Sequence, residues 1–181
     1  MRVRAYDGSK WTWAGGGSVT GINYDPARPA DLPQLAVFDG KLYAAWREFN
    51  GTASQIRLRA YDGSKWTWAD GGTGRGINYD SSKSGYVPAL AVFNGKLYAA
   101  WEEWNGPNAS RSFSTTGLQI RVKAYDGSGW SWADGGASNG INHDVSKSAF
   151  GPELAAFNNR LYFTWDEYNG STYQIRVASG F

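Results

Sequence analysis

The sequence predicts an all-β protein built from repeated four-stranded units. Aromatic residues make up 16% of the chain and glycine occurs 24 times, whereas charged residues are only 19%. This composition is typical of short strands joined by tight turns rather than of amphipathic helices. One long segment also occurs three times with few changes, and each copy places hairpin signals between apolar runs.

The repeat is marked by a strand-like segment that leads into Ala-Tyr-Asp-Gly. It begins at Arg2, Arg57 and Arg121. The second copy is longer than the others, and the extra residues predict a surface loop within Pro107 to Gly117. A repeat of this length is typical of propeller blades and longer than helical or leucine-rich solenoid units. We therefore expect one domain over residues 1–181, with repeats at approximately 2–56, 57–120 and 121–175 and a terminal strand at 174–181.

Four antiparallel strands are predicted in each repeat. In the first complete copy they begin with Leu35 to Phe38 and Lys41 to Trp46, and continue with Gln55 to Tyr61 and Lys65 to Trp68. Asp-Gly and Asn-Gly pairs are strong hairpin signals because both positions tolerate positive φ. Such pairs stand at Asp39-Gly40 and Asn94-Gly95, and Asn158-Asn159 is a weaker version.

The first two strands of each repeat are apolar on both faces, as in Leu-Ala-Val-Phe followed by Leu-Tyr-Ala-Ala-Trp. Strands of this kind must be covered on both sides. Blades that stack face to face around an axis provide that cover, so the sequence predicts a β-propeller.

A Tyr and a Trp separated by six residues follow the Leu-Tyr hairpin in each copy. The pairs are Tyr6 and Trp13, Tyr61 and Trp68, and Tyr125 and Trp132. This pattern resembles the kelch group of propellers, and the resemblance implies packing positions for Trp13, Trp68 and Trp132. Kelch blades end their second strand with Gly-Gly, whereas here that place holds Trp-Arg-Glu, Trp-Glu-Glu and Trp-Asp-Glu.

Three blades cannot close a ring, because closed propellers typically have about four to eight. The third strand type occurs four times, near residues 2, 57, 121 and 176, and each other type three times, which gives thirteen strands. Two chains would supply enough strands for six blades of four, with two strands left over. We therefore expect a homodimer that closes a six-bladed ring.

Candidate binding residues recur at equivalent places. A carboxylate, a guanidinium and an indole together can bind a sugar, because the charged pair bonds hydroxyls while the ring covers an apolar face. The set is similar to that of fungal fucose-binding propeller lectins, which use Arg, Glu and Trp between blades, and this similarity implies carbohydrate sites. The candidates are Glu48, Glu103, Glu167, Arg57, Arg121, Arg176, Trp11, Trp66 and Trp130. The alternative interpretation is that each Glu and Arg form an ion pair and each Trp packs a blade interface.

A non-enzymatic binding propeller is the function that these patterns favour, with repeated sites for weak, multivalent carbohydrate binding. A scaffold that binds protein, or a natural or engineered propeller fragment without a specific ligand, stays open as the alternative. A glycosidase is the third reading, because sialidases are propellers. Against it, the paired carboxylates Glu102-Glu103 and Asp166-Glu167 are strand neighbours that point to opposite faces, so no catalytic residues are assigned.

Charge and composition exclude several other classes. The formal net charge is +2 and the basic residues are spread along the chain, so we expect no nucleic-acid partner. No apolar run is long enough to cross a bilayer, so we expect no membrane partner. With no Cys and only His143, no metal or cofactor is expected. Localisation stays open, with a secreted or extracellular setting one reading if the chain belongs to a longer protein.

Overall fold

A computed structural model describes residues 1–14, 21–106 and 117–180. Within these ranges the chain forms thirteen strands, as the sequence predicts. The loop expected between Pro107 and Gly117 lies almost entirely outside the described residues. The strands are β1 (Arg4–Tyr6), β2 (Trp11–Trp13), β3 (Ala30–Phe38), β4 (Lys41–Phe49), β5 (Ser54–Tyr61), β6 (Trp66–Trp68), β7 (Gly85–Phe93), β8 (Lys96–Trp104), β9 (Leu118–Tyr125), β10 (Trp130–Trp132), β11 (Ala149–Phe157), β12 (Arg160–Tyr168) and β13 (Tyr173–Gly180).

The strands form four antiparallel sheets. Two are complete four-stranded sheets, which we call blades, with strand orders β3-β4-β5-β6 and β7-β8-β9-β10. The chain begins with a two-stranded sheet, β1-β2, and ends with a three-stranded sheet, β11-β12-β13. The start of the chain therefore holds the last two strand types of a blade, and its end holds the first three.

Each blade begins with the predicted hairpin. Asp39 has φ 48° and Gly40 has φ 67°, and Asn94 and Gly95 repeat these angles at 45° and 67°. Asn158 and Asn159 also take positive φ, at 46° and 55°. Positive φ at both central residues defines the type I′ turn, whose twist matches that of paired strands. The predicted hairpins are confirmed.

The core lies between blades. Ile56 and Leu58 of β5 belong to one buried cluster with Leu97 and Trp101 of β8 in the next blade. A second cluster repeats this contact between β9 and β12. Within the described residues no helix is long and apolar enough to cross a membrane.

A Gly-Ile-Asn segment ties each blade to the following one. Ile77 donates its N–H to the Ile56 carbonyl at 3.0 Å, and the Asn78 Oδ1 accepts the Ile56 N–H at 2.8 Å. The Asn78 amide nitrogen donates to the carbonyls of Ser54 and Lys83. The link between β6 and β7 is thereby fixed along β5, and the same bonds recur where Asn142 meets β9.

Glycine precedes this segment for a steric reason. Gly76 has φ 58°, and a Cβ there would lie 2.4 Å from the Ile56 carbonyl oxygen. Gly95 has a similar φ of 67°, but a Cβ would meet no atom within 4 Å. A side chain at Gly95 would therefore meet only backbone strain, whereas one at Gly76 would also clash with the backbone of β5.

We predict that Gly76→Ala lowers the free energy of unfolding much more than Gly95→Ala. The Gly95 change adds only left-handed strain, worth about 1–2 kcal/mol. At Gly76 the new methyl group must also push β5 away from the inter-blade link. Urea unfolding followed by tryptophan fluorescence measures both, and equal losses of stability would show that the close approach is not required.

Candidate functional site

A cavity of about 280 Å³ opens where the segment before β3 meets the ends of β4 and β5. We call it the first pocket, and its lining residues are Tyr24, Asp25, Glu48, Phe49, Asn50, Gln55, Arg57 and Gly74. The second pocket occupies the same place in the next blade and is only about 40 Å³. Trp104 stands there in place of Phe49 and Ser138 in place of Gly74, so larger side chains narrow it.

The three predicted glutamates anchor the segment that precedes each blade. The buried Glu48 carboxylate accepts the N–H groups of Tyr24 and Asp25, at 2.9 and 2.6 Å, and the Trp46 indole N–H at 2.7 Å. Glu103 accepts the equivalent bonds from Tyr79, Asp80 and Trp101, and Glu167 those from His143, Asp144 and Trp165. Three charge-assisted bonds hold each carboxylate in one orientation.

Burial raises the pKa of Glu103, and the hydrogen bonds from Asp80, Trp101 and Tyr79 oppose that rise. The raised pKa by itself would suit a general acid. Its oxygens, however, already accept three N–H donors. The geometry therefore gives Glu103 a structural task.

The ion pairs between Glu and Arg that the alternative interpretation predicts do not form among the described residues of the two complete blades. Arg57 instead places its Nε 2.9 Å from Asp70, and Arg121 lies at the same distance from Asp134. Only Arg176, in the three-stranded sheet, lies near its glutamate, with Nε 3.8 Å from Glu167. The expectation was wrong for two of the three because a second carboxylate, closer to the guanidinium, was overlooked.

The overlooked carboxylate, that of Asp70, links the end of the fourth strand to the third strand. Asp70 also accepts the N–H groups of Leu58 and Gly72. Burial raises the pKa of Asp70, and the neighbouring Arg57 opposes that rise. The repeated Ala-Asp-Gly-Gly after Trp68 and Trp132 was the available sequence signal for this contact.

Two of the three predicted tryptophans lie between blades rather than in the first or second pocket. Trp66 donates its indole N–H to the Ala14 carbonyl at 2.5 Å, and Trp130 donates to the Ala69 carbonyl at 2.7 Å. Both rings pack against the inter-blade clusters. Trp11, the first copy of this residue, is 59% exposed. The geometry of these residues matches the interface alternative, while the ligand-binding role assigned to all nine candidates stays a prediction.

Tyrosine supplies the aromatic ring at each pocket, a role that sequence reasoning missed. Tyr24 is 46% exposed, and the Arg57 guanidinium lies 4.4 Å from the centre of its ring. Tyr79 repeats this contact with Arg121 at 4.3 Å. The exposed His143 takes the position in the last blade. The sequence signal for this ring was the repeated Asn-Tyr-Asp, but the same residues also precede a turn and can be explained by it.

Both pockets contain buried polar atoms that have no hydrogen-bond partner among the described residues. They include the Oε1 atoms of Gln55 and Gln119, the Nη2 atom of Arg57 and the Nε1 atom of Trp104. Gln55 is fully buried and Arg57 is 1% exposed, so bulk water does not reach them freely. Leaving such groups unpaired costs about 1–3 kcal/mol each. A bound polar molecule would recover that cost.

Among the described residues no cluster of three His, Cys, Asp or Glu side chains is arranged to hold a metal ion. The polar groups of the first pocket are an amide, a guanidinium and carboxylates already bonded to N–H donors. Such a set suits a neutral, hydroxyl-rich ligand better than a cation.

We predict that Glu103→Gln lowers the free energy of unfolding by about 1–3 kcal/mol, because one amide oxygen cannot replace a carboxylate that accepts three N–H groups. Glu153→Gln is the matched control, since Glu153 is exposed on β11. Chemical denaturation of both variants measures the difference. Equal stability would mean that the carboxylate does not anchor its segment.

No protein-family model matches the chain, and no curated protein matches its sequence. Solved structures do match it. Zg3597, a family 117 glycoside hydrolase from the marine bacterium Zobellia galactanivorans, superposes with a TM-score of 0.57 at 13% identity, over 99% of this chain and 56% of that one. A thermostable family-43 glycoside hydrolase matches with a TM-score of 0.53 at 12% identity, over 84% of this chain and 55% of that one.

These likenesses show the fold. The chain is all-β, and its antiparallel four-stranded sheets resemble propeller blades. It spans about half the length of the matched structures. The resemblances to kelch propellers and fucose-binding lectins stay predictions.

Proposed function

We propose that the protein is a non-enzymatic carbohydrate-binding propeller whose repeated sites are the pockets at the ends of β4, β5 and their equivalents. The observation that carries the proposal is the pairing, in the first pocket, of a buried unpartnered acceptor with a buried unpartnered donor. Sugar hydroxyls both donate and accept hydrogen bonds, so the hydroxyls of one sugar can complement both groups.

The shape of the first pocket supports a small sugar. Its volume of about 280 Å³ is close to the lower end of small-molecule sites, roughly 300–1,000 Å³. The half-exposed ring of Tyr24 lines it, and an aromatic face can cover the C–H side of a sugar. A shallow site with few direct contacts suits weak binding that gains strength by repetition.

Hydrolysis is a poorer account of the same geometry. A glycosidase needs a carboxylic acid and a second free carboxylate on either side of one bond. In the first pocket both Glu48 oxygens accept N–H groups, while Asp25 accepts an N–H from Ala27 and lies 3.5 Å from Arg28. Turnover of a chromogenic glycoside by the purified chain would overturn the non-enzymatic assignment.

We predict that Tyr24→Ala weakens binding of a positive sugar, found on a broad glycan panel, by about tenfold or more. The exposed ring contributes contact area to the ligand, and its contact with the Arg57 guanidinium, 4.4 Å from the ring centre, also holds that side chain in the pocket. Isothermal titration of the variant and the wild-type chain measures the change.

Tyr79→Ala is the matched control. It removes the same ring from the narrow second pocket and should leave the affinity of the first pocket unchanged. Undiminished binding in Tyr24→Ala would contradict the assignment of the first pocket. Silence of the wild-type chain across the panel would favour the scaffold alternative, in which the repeated units bind protein or only each other.

We further propose that two copies of the chain close a six-bladed ring. The incomplete end sheets support this: one has the first three strand types and the other the last two. Unpaired strand edges invite pairing with another chain, and closure removes them. A two-fold arrangement uses both ends of each copy and leaves neither exposed.

We predict a solution mass of about twice the chain mass of 19.8 kDa. Light scattering on a sizing column measures it directly, independently of any ligand. A strict monomer at high concentration would contradict ring closure while leaving the sugar test standing.

A further inference from the structure

We propose that Trp11 of a second copy fills an apolar cavity beside β13 and donates its indole N–H to the Ala133 carbonyl. The proposal rests on the proposed ring closure and names the contact that makes it. The repeats contain three equivalent tryptophans, Trp11, Trp66 and Trp130, and three equivalent acceptor carbonyls, those of Ala14, Ala69 and Ala133. Only two tryptophan–carbonyl pairs meet within the described residues.

The internal repeats show what such a cavity holds when it is filled. Between the two complete blades, Trp130 packs on the cluster that contains Leu58, Ala69, Ile77 and Ala99. Its N–H bonds the Ala69 carbonyl at 2.7 Å. Trp66 makes the same bond to Ala14, one blade earlier. In each case the first residue of a fourth strand bonds the alanine that follows the preceding fourth strand.

The next interface lacks this tryptophan. Among the described residues no fourth strand pairs with β13, and a cavity of about 280 Å³ is found there. Its lining is predominantly apolar and consists of Val122, Ala133, Ile141, Phe163, Ala178, Ser179 and Gly180. Val122, Ala133, Ile141 and Phe163 are the counterparts of Leu58, Ala69, Ile77 and Ala99 in the repeat. The cavity is thus the site that Trp130 fills one blade earlier.

The matching tryptophan is exposed at the other end of the chain. Trp11 opens β2, the first copy of the fourth strand, and 59% of it is exposed. Its equivalents Trp66 and Trp130 are both partly buried. One end of the chain therefore presents a large apolar ring, and the opposite end presents an apolar cavity of the same repeat position.

The surrounding end face continues the interface that joins the blades. Ile175 and Val177 of β13 are 72% and 66% exposed, whereas Ile120 and Val122, at the same positions of β9, are 0% and 1% exposed. Phe157 is 63% exposed, whereas its equivalent Phe93 is 6% exposed. Another blade covers these positions inside the chain. A second copy supplies such a blade at the end.

Strand number agrees with this docking. β13 already pairs with β12 along eight residues, from Leu161 opposite Gly180 to Tyr168 opposite Tyr173. Among the described residues no fourth strand pairs with the other edge of β13. β2 of the second copy is a strand of the fourth type. β1 repeats the strand type of β13 and pairs with β2 in its own copy, from Arg4 opposite Trp13 to Tyr6 opposite Trp11, so this docking requires β13 to replace β1 beside β2. β1 is then the strand left over from each copy when six blades of four are complete.

The same docking completes a third pocket. In the complete blades the ring of Trp68 lies 4.7 Å from the Arg57 guanidinium, and Trp132 lies 4.7 Å from that of Arg121. Arg176 has no such ring among the described residues of its own blade, and its side chain is 29% exposed, against 2% for Arg57. Trp13 lies two residues after Trp11 on β2, so the second copy brings it to Arg176.

The test is the dimer dissociation constant of the full chain, measured by sedimentation equilibrium. Trp11→Ala should raise it at least a hundredfold, because a large ring leaves a cavity that cannot collapse. Ala178→Phe should raise it comparably by occupying the same cavity from the other side. Tyr24→Ala, which alters the first pocket only, is the control and should dimerise as the wild type does.

Circular dichroism of each variant checks that the monomer remains folded. A dimeric Trp11→Ala with the wild-type constant would overturn the docking while leaving ring closure intact. An unaffected Ala178→Phe would overturn it as well. A monomeric wild-type chain would overturn ring closure itself, and the docking with it.

Discussion

The structure depends on the fact that a blade cannot bury its own two faces. Leu97 and Trp101 of β8 are fully buried only because β5 of the preceding blade supplies Ile56 and Leu58. Each blade thus relies on the next for most of its hydrophobic stabilisation, as in repeat proteins in which neighbouring units share one core. Such an array has no natural end, and whatever terminates it must either cover the last face or leave it exposed.

Polar contacts then fix the angle at which blades meet. Hydrophobic contact alone is non-directional, whereas Asn78 accepts and donates bonds to β5 of the preceding blade and Glu103 binds the segment that leads into its own sheet. The pockets arise at these junctions. Because the junctions repeat, any ligand site they form repeats too, and small changes such as Phe49 to Trp104 tune each copy separately.

The sequence predicts the fold well because its strongest signals are local. The type I′ turns follow from Asp39-Gly40 and its copies, and the strand order follows from the internal repeat. The site is predicted less well because it depends on which of several similar residues meet in space. Glu48 and Arg57 do line one pocket, but the sequence could not show that Asp70 would reach the guanidinium first or that Tyr24 would replace Trp66 as the ring.

The repeated tryptophan at positions 66 and 130 shows why sequence spacing alone cannot distinguish a ligand-binding residue from a packing residue. Trp66 and Trp130 are the residue type, at the sequence position, that is expected of a sugar-binding platform. Each nevertheless donates its one indole N–H to a backbone carbonyl of the neighbouring blade. An indole donates a single hydrogen bond, so a ring used in this way aligns two blades and offers only its remaining edge to a ligand. The exposed Trp11 occupies the same position of the repeat and differs from them only in its surroundings. Its exposure is therefore better explained as an unfinished interface than as a separate binding surface. In the docking that we propose, the exposed ring at one end of a copy enters the apolar cavity at the opposite end of another.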